Sequence, residues 1–304
     1  MKDESRQEYI ERINRVIDHI SEHFDTENSL ADLADIACFS EYHFHRIFRA
    51  MMGETIGEFT GRMRMERAVA LMRRSRSANL SRIAIECGFN SVSNFSRAFK
   101  KRYGVSPSRT DLDELSQDSK IGKDYPTASR YYFKPFPEDE LALDFEVKIE
   151  QRADLHLAYI RTFGLYLEPQ KGMDAYARLM DWVRQNKELL LDDRVIGMSP
   201  DDPEVTPLEK CRYDLCVALN QPMAPQGEIG CMLIPASNYA VHHCAGDITA
   251  FERAWSYFFK VWFPSSGYVP DSMPAMEIFH SRPEDVGWEY FDIDCCVPIK
   301  PLWR

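Results

Sequence analysis

Two stretches in the first hundred residues repeat each other: LADLADIACFSEYHFHRIFRAMMG at 30–53 and LSRIAIECGFNSVSNFSRAFKKRYG at 80–104. Ala34 and Phe39 match Ala84 and Phe89 at an interval of 50. After one inserted residue the interval becomes 51, so Phe44, Arg46, Phe48 and Gly53 match Phe95, Arg97, Phe99 and Gly104. Each unit reads as a short apolar helix, a turn, and a second helix with an arginine two residues after an aromatic. That is a helix-turn-helix pattern, whose second helix is the kind that enters the DNA major groove. One such pattern arises easily by chance; two in register constrain the fold strongly.

The charge distribution agrees. The 304 residues suffice for two domains, and 44% are hydrophobic, enough for each to bury a core. The net charge of −11 argues at first against nucleic acid. Residues 1–112, however, hold 18 basic and 16 acidic side chains, and the remainder 19 and 32. Within 40–110 the count is 14 basic against 5 acidic, the asymmetry expected when one domain meets phosphates. The polar N-terminus is not a secretory signal, and no apolar run approaches a membrane span. The eight cysteines lack CxxC spacing and read as reduced thiols of a cytoplasmic protein. No metal site is expected: His242, His243 and Cys244 cluster, but neighbours on a strand face opposite sides.

Tyr9, Ile13, Val16, Ile17 and Ile20 recur at helical spacing and predict a first helix. Ser29 is placed to cap LADLADIA, and Ser40 and Asn90 to cap the two recognition helices. Between the units, IGEFTGRMRMERAVALMRR predicts an amphipathic helix over roughly 55–73, close to 27 Å long. Such a spacer would hold the recognition helices near one turn of DNA apart, about 34 Å. On the first recognition helix Tyr42, His45 and Arg46 share a face, with Arg49 one turn on, opposite Phe44, Ile47 and Phe48. On the second, Ser93, Asn94 and Arg97 share a face, with Phe95, Ala98 and Phe99 packing inward. Arginine bonds guanine O6 and N7 together, and asparagine does likewise for adenine. Surface or partial-core packing for Tyr42 and His45, and phosphate contact or an intradomain ion pair for Arg46 and Arg97, are the competing roles. Lys100, Lys101 and Arg102 suit phosphate attraction.

Residues 9–109 resemble the AraC/XylS family of transcription regulators. The most specific stretch is IAIECGFNSVSNFSRAFKKRYGVSPSR, with Gly88, Phe89, Phe95, Phe99, Gly104 and Pro107 in the family's places. The resemblance puts the DNA-reading positions on Tyr42, His45 and Arg46 and on Ser93, Asn94 and Arg97. In much of that family the DNA-binding unit is C-terminal; here it leads, which makes a sugar-binding arm of the arabinose type unexpected.

A polar, acidic stretch over 113–140 reads as a linker between a DNA-binding domain (1–112) and a second domain (141–304). The second domain also repeats. Strand FEVKIEQRADLHLAYIRTFG precedes helix GMDAYARLMDWVRQN, and strand IGCMLIPASNYAVHHCAG precedes helix ITAFERAWSYFFKVW. Strands VIGMSPDDP and AMEIFHSRP then correspond, as do YDLCVAL and IDCCVPI. Asp214, Cys216 and Val217 match Asp294, Cys296 and Val297 at an interval of 80. The expected fold is an all-α double helix-turn-helix followed by an α+β domain of two pseudo-symmetric strand–helix–strand–strand repeats, with a ligand cleft at the pseudo-two-fold.

Residues 143–300 resemble the GyrI-like (gyrase-inhibitor-like) effector-binding domain, best in PAMEIFHSRPEDVGWEYFDIDCCVPI. The family's cleft glutamate falls on Glu277, with Phe279 two residues on and facing the same side of a strand. The corresponding place in the first repeat is Gly197. Trp255, Phe259 and Trp262 on the neighbouring helix, with Trp182 and Tyr159 as weaker candidates, would line a site in which aromatic faces and one carboxylate suit an amphipathic organic cation. Core packing of these rings, with Glu277 paired to a Lys or Arg, is the alternative. The resemblances imply a ligand-responsive, non-enzymatic transcription regulator whose partners are double-stranded DNA, a small-molecule effector and RNA polymerase, without a cofactor or membrane. A hydrolase built on Glu277 and an aromatic hydroxyl, with Tyr268 and Tyr290 near in chain order, and a protein-interaction module are the other readings. No Ser-His-Asp order, glycine-rich phosphate loop or zinc spacing is present.

Overall fold

The computed structural model describes residues 2–24, 26, 28–74, 79–112, 115, 145–201, 203, 206–271 and 273–301; the side chains of 2–7, 42, 43, 46, 50, 74, 259, 260 and 264 also lie outside the description. These residues form two compact units, one helical and one built on a sheet. The linker over 113–140 falls almost wholly outside the described residues.

The helical unit comprises α1 (Lys2–Glu22), α2 (Leu30–Ile36), α3 (Glu41–Met52), α4 (Ile56–Arg74), α5 (Leu80–Glu86) and α6 (Val92–Tyr103). Ile13, Val16, Ile17 and Ile20 of α1 are buried, as their spacing requires. Ser29 caps α2 by accepting from the Asp32 N–H at 3.1 Å. Asn90 does not cap α6; Ser91 does, accepting from the Asn94 N–H at 3.1 Å. The inserted residue precedes the cap, so Ser91 is the counterpart of Ser40, which immediately precedes α3. The turn inside each unit needs a left-handed residue: Cys38 (φ 53°) in the first and Gly88 (φ 72°) in the second. A side chain at Gly88 would strike the Phe24 carbonyl oxygen and lie 3.0 Å from the Arg64 guanidinium.

The second unit holds β1 (Lys148–Arg152), β2 (Leu155–Phe163), α7 (Gln170–Gln185), β3 (Leu190–Ser199), β4 (Arg212–Leu219), β5 (Gly230–Ile234), β6 (Ser237–Gly246) and α8 (Ile248–Tyr257). A π-helical turn (Phe258–Trp262) and a short helix α9 (Phe263–Ser266) lead to β7 (Tyr268–Pro270), β8 (Ala275–Phe279), α10 (Pro283–Val286) and β9 (Phe291–Pro301). The strands form one antiparallel sheet, ordered β1-β6-β9-β8-β3-β4-β2-β5, with β7 beside β9. Each repeat has one strand more than the apolar runs announce. FEVKIEQRADLHLAYIRTFG breaks at Ala153–Asp154, and IGCMLIPASNYAVHHCAG at Pro235–Ala236. The freed leading strands cross over: β1 pairs with β6 of the second repeat, and β5 with β2 of the first.

Strand alternation gives the sheet two apolar faces. On one, α7 packs Ala175, Leu179, Met180 and Val183 against Ala158, Ile160, Val195, Leu215 and Val217. On the same face α8 and the π turn pack Ala254 and Phe258 against Ala240, Cys244, Ile293, Cys295 and Val297. Phe279 touches both clusters. The opposite face buries Leu157, Tyr159, Met198, Tyr239, Val241, Met276 and Cys296.

Candidate ligand cleft and DNA-reading helices

Glu277 lies at the centre of the helix-covered face. Antiparallel register places it opposite Gly197 on β3 and Cys295 on β9. It is 7% exposed. Tyr213 on β4 reaches it through the space that Gly197 leaves, and its Oη donates to Glu277 Oε2 at 2.5 Å. A Cβ at position 197 would collide with that hydroxyl and stand 2.9 Å from the carboxylate oxygen. Among the described residues no Lys, Arg or His pairs with Glu277, so pairing with a Lys or Arg does not explain it. Burial pushes its carboxyl up to about 7, and the Tyr213 hydrogen bond only partly opposes this. Burial, then the charge of Glu277, raise the phenol of Tyr213 well above its ordinary range. The desolvated Tyr166 phenol, 2.9 Å from Ser199 Oγ, is raised as well.

The arrangement is a buried carboxyl poised near neutrality, with the Tyr213 hydroxyl as its one hydrogen-bond donor among the described residues, on the face of the sheet that α7 and α8 cover. Phe279 shares the face of Glu277 and joins the clusters. Trp255 and Trp262 are half-buried on the α8 side, where Trp262 stacks on Tyr268 at 6.1 Å, and Trp182 is half-buried on the α7 side. The Trp182 Nε1 is buried without a hydrogen-bond partner among the described residues. The side chain of Phe259 lies outside the described residues. Tyr159 is a correction: it pairs with Cys216 on β4, so it points to the face opposite Tyr213 and Glu277 and is fully buried there. It packs the second core and does not line the cleft. Tyr213 was not singled out by sequence, where Tyr268 and Tyr290 stood nearer Glu277. Tyr268 instead stacks on Trp262, and Tyr290 is 46% exposed.

In the helical unit, α6 buries Phe95 and Phe99 completely and exposes Ser93, Asn94, Arg97 and Lys100. Arg97 Nη2 donates to Asn94 Oδ1 at 3.2 Å, joining these two exposed side chains into one surface. On α3, Phe44 and Phe48 are fully buried, Arg49 is exposed and His45 is half-buried. Tyr42 and Arg46 sit on α3, but their side chains lie outside the described residues. Arg62 on α4 is sealed between Glu54 (2.8 Å) and Glu66 (3.1 Å), and Arg102 of α6 meets Glu66 at 3.4 Å. This network fastens α6 to the spacer helix.

Residues 145–300 match the family described as the GyrI-like small molecule binding domain, and residues 33–111 match the helix-turn-helix domain family. A probable transcriptional regulator LumQ of Photobacterium leiognathi is 36% identical over 102 residues, covering 33% of this chain and 41% of that protein. A DNA gyrase inhibitor of Serratia proteamaculans (strain 568) is 30% identical over 158 residues, 51% of this chain and 97% of that protein. Among solved structures, the EcmrR–DNA complex in EcmrR-RPo aligns over 88% of this chain and 84% of its own, at 14% identity and a TM-score of 0.42. With both segments placed on the fold just described, the chain belongs to the GyrI-like small-molecule-binding family, joined to an AraC-type helix-turn-helix domain.

Proposed function

We propose that the chain is a sequence-specific transcription regulator that reads DNA with α3 and α6 and is controlled by a small amphipathic cation bound at Glu277. One observation carries the ligand class. Glu277 is buried on the sheet face that also carries Phe279 and the aromatic side chains of α8, and has no cationic side chain paired with it among the described residues. A ligand cation would supply the missing charge, and the ring faces would hold its apolar body. The base-reading positions in this proposal are Tyr42, His45, Arg46 and Arg49 on α3 and Ser93, Asn94, Arg97 and Lys100 on α6; the proposed ligand contacts are Glu277, Phe279, Trp255, Trp262 and Trp182, with Phe259 carried from the sequence alone. In this reading the partners are double-stranded DNA, the effector and RNA polymerase, in the cytoplasm. No helix among the described residues is long and apolar enough to cross a membrane. Calorimetry of matched cationic and neutral aromatic ligands against the wild-type chain and Glu277→Gln tests it. The expected result is a large loss for the cation alone; equal losses would show that Glu277 serves only the fold.

A second reading, hydrolysis, has one observation in its favour: the Tyr213 hydroxyl and Glu277 carboxyl form a proton donor–acceptor pair. Turnover of a small hydrolysable ester, lost in both Tyr213→Phe and Glu277→Gln while binding persists in Tyr213→Phe, would favour an enzyme over a sensor.

A further inference from the structure

Asp214 and Asp294 hold equivalent places on β4 and β9, yet the two repeats neutralise them differently. In the first, Arg161 Nε and Nη2 each donate to Asp214 at 2.7 Å, and both side chains are sealed from solvent. In the second, register puts His243 opposite Asp294 as Arg161 lies opposite Asp214. His243 Nδ1 lies 3.1 Å from Asp294 Oδ1, and His280, at the end of β8, brings its Nε2 to 3.0 Å from Oδ2. Where the first repeat places a guanidinium, the second places two imidazoles.

We propose that His243, His280 and Asp294 bind a divalent transition metal of the zinc class, on the face of the sheet opposite Glu277. One donor atom from each lies within 4.8 Å of the others. A tetrahedral ion held at about 2.0–2.1 Å sets its ligand atoms about 3.4 Å apart; the two imidazole nitrogens lie 3.1 and 3.0 Å from different oxygens of Asp294, so an ion held through one oxygen draws both rings toward it by rotation of exposed side chains. The surroundings fit as well. His243 Nε2, the nitrogen turned away from Asp294, faces Asp292 Oδ1 at 3.6 Å, and Asp292 Oδ2 accepts from Ser281 Oγ at 2.7 Å. A ligand imidazole backed by an anchored carboxylate is the usual way a metal-binding ring is oriented. Two imidazoles and one carboxylate suit zinc, cobalt or nickel rather than calcium or magnesium, which take oxygen donors. Both histidines are exposed, so the ion and its completing waters have access. The bound ion ties β6 and β9 to the end of β8, the strand that carries Glu277.

The test uses the tag-free full chain, stripped with a chelator and titrated with Co²⁺ under visible absorption, then with Zn²⁺ in competition. The expected result is one ion per chain, with the d–d bands of nitrogen and oxygen ligation and no thiolate charge-transfer band. His243→Ala and His280→Ala should each weaken it by more than about tenfold, with unchanged far-ultraviolet circular dichroism. Cys38→Ser and Cys231→Ser should leave it unaltered. A thiolate band that either cysteine variant removes, unchanged affinity in both histidine variants, or no Co²⁺ uptake would overturn the proposal.

Discussion

Gly197 and Glu277 face each other across β3 and β8, and each is the other's counterpart at the 80-residue interval that relates the two repeats. The pseudo-two-fold of the sheet therefore passes between them. Two carboxylates there would repel, and two glycines would leave a hole. The mixed pair gives one carboxyl and the room for Tyr213 to reach it.

Gly197→Ala should break this arrangement, because the added methyl collides with the Tyr213 hydroxyl. Overpacking of this kind costs about 1–3 kcal/mol. A lower denaturation midpoint and loss of cation binding are expected, with DNA affinity of the free protein unchanged. Full cation binding by this variant would place the ligand elsewhere.

Stability should depend on pH through Glu277. Its carboxyl is raised from 4.5 to about 7, so between those values the native state keeps a proton that the unfolded chain has lost. The native state is favoured by this group below the lower value and penalised increasingly as pH rises, to about 3 kcal/mol above the upper one. Glu277→Gln, which cannot ionise, should therefore gain on the wild type as pH rises through this window and level off above it. Paired melts across pH check this. A cationic ligand needs the ionised form, so its affinity should rise about tenfold per pH unit below neutrality and then flatten; calorimetry at several pH values reads that slope.

On the DNA side, Arg97→Ala should cost about 1–3 kcal/mol of specific binding and relax the choice of base at one position. Asn94→Ala should act in the same direction, since the two side chains are joined. Lys100→Ala should weaken specific and non-specific DNA alike and reduce the salt dependence. Fluorescence anisotropy against operator and random duplexes at several salt concentrations separates the cases. Equal loss on both duplexes for Arg97→Ala would reassign that arginine to the phosphates.

The two helix-turn-helix units should respond oppositely at their turns. Gly88→Ala forces a side chain into a left-handed residue already crowded by the Phe24 carbonyl, and a loss above about 2 kcal/mol is expected. Cys38→Gly removes the same conformational strain from the first unit and should be neutral or stabilising by up to about 1 kcal/mol. Thermal melts of both variants give the two signs directly.

Much of this fold can be read from the chain because its signals are local. The paired phenylalanines of α3 and α6, their following arginines and the spacer helix depend only on helical periodicity. The placement of Glu277 and Phe279 on one strand face is likewise local. Three features are not. The crossing of β1 and β5 is hidden because the breaks at Ala153–Asp154 and Pro235–Ala236 show where a strand ends, not which repeat the freed segment pairs with. Tyr213 lies 64 residues from Glu277 and meets it only through sheet register. A clue existed, since its counterpart at the same interval is Ile293, a second broken symmetry beside Gly197 and Glu277. The His243–His280–Asp294 cluster is assembled from β6, β9 and the residue just past β8, whereas sequence shows only the adjacent His242, His243 and Cys244, whose alternating directions argue against a metal site.

The crossed edge strands interlock the two halves of the cleft. β1 is made with the first repeat but completes the second, and β5 does the reverse. A chain cut between β4 and β5 would yield two pieces, each carrying a strand that belongs to the other. Neither half can close its edge until the other has been synthesised, which places this domain among the slower, long-range folders. The same latch acts in the finished protein. Because each half holds the other's outer strand, the two cannot swing apart as independent lobes. Any movement that a ligand imposes on α7 relative to α8 is confined to shear along the β3–β8 seam, where Glu277 is seated.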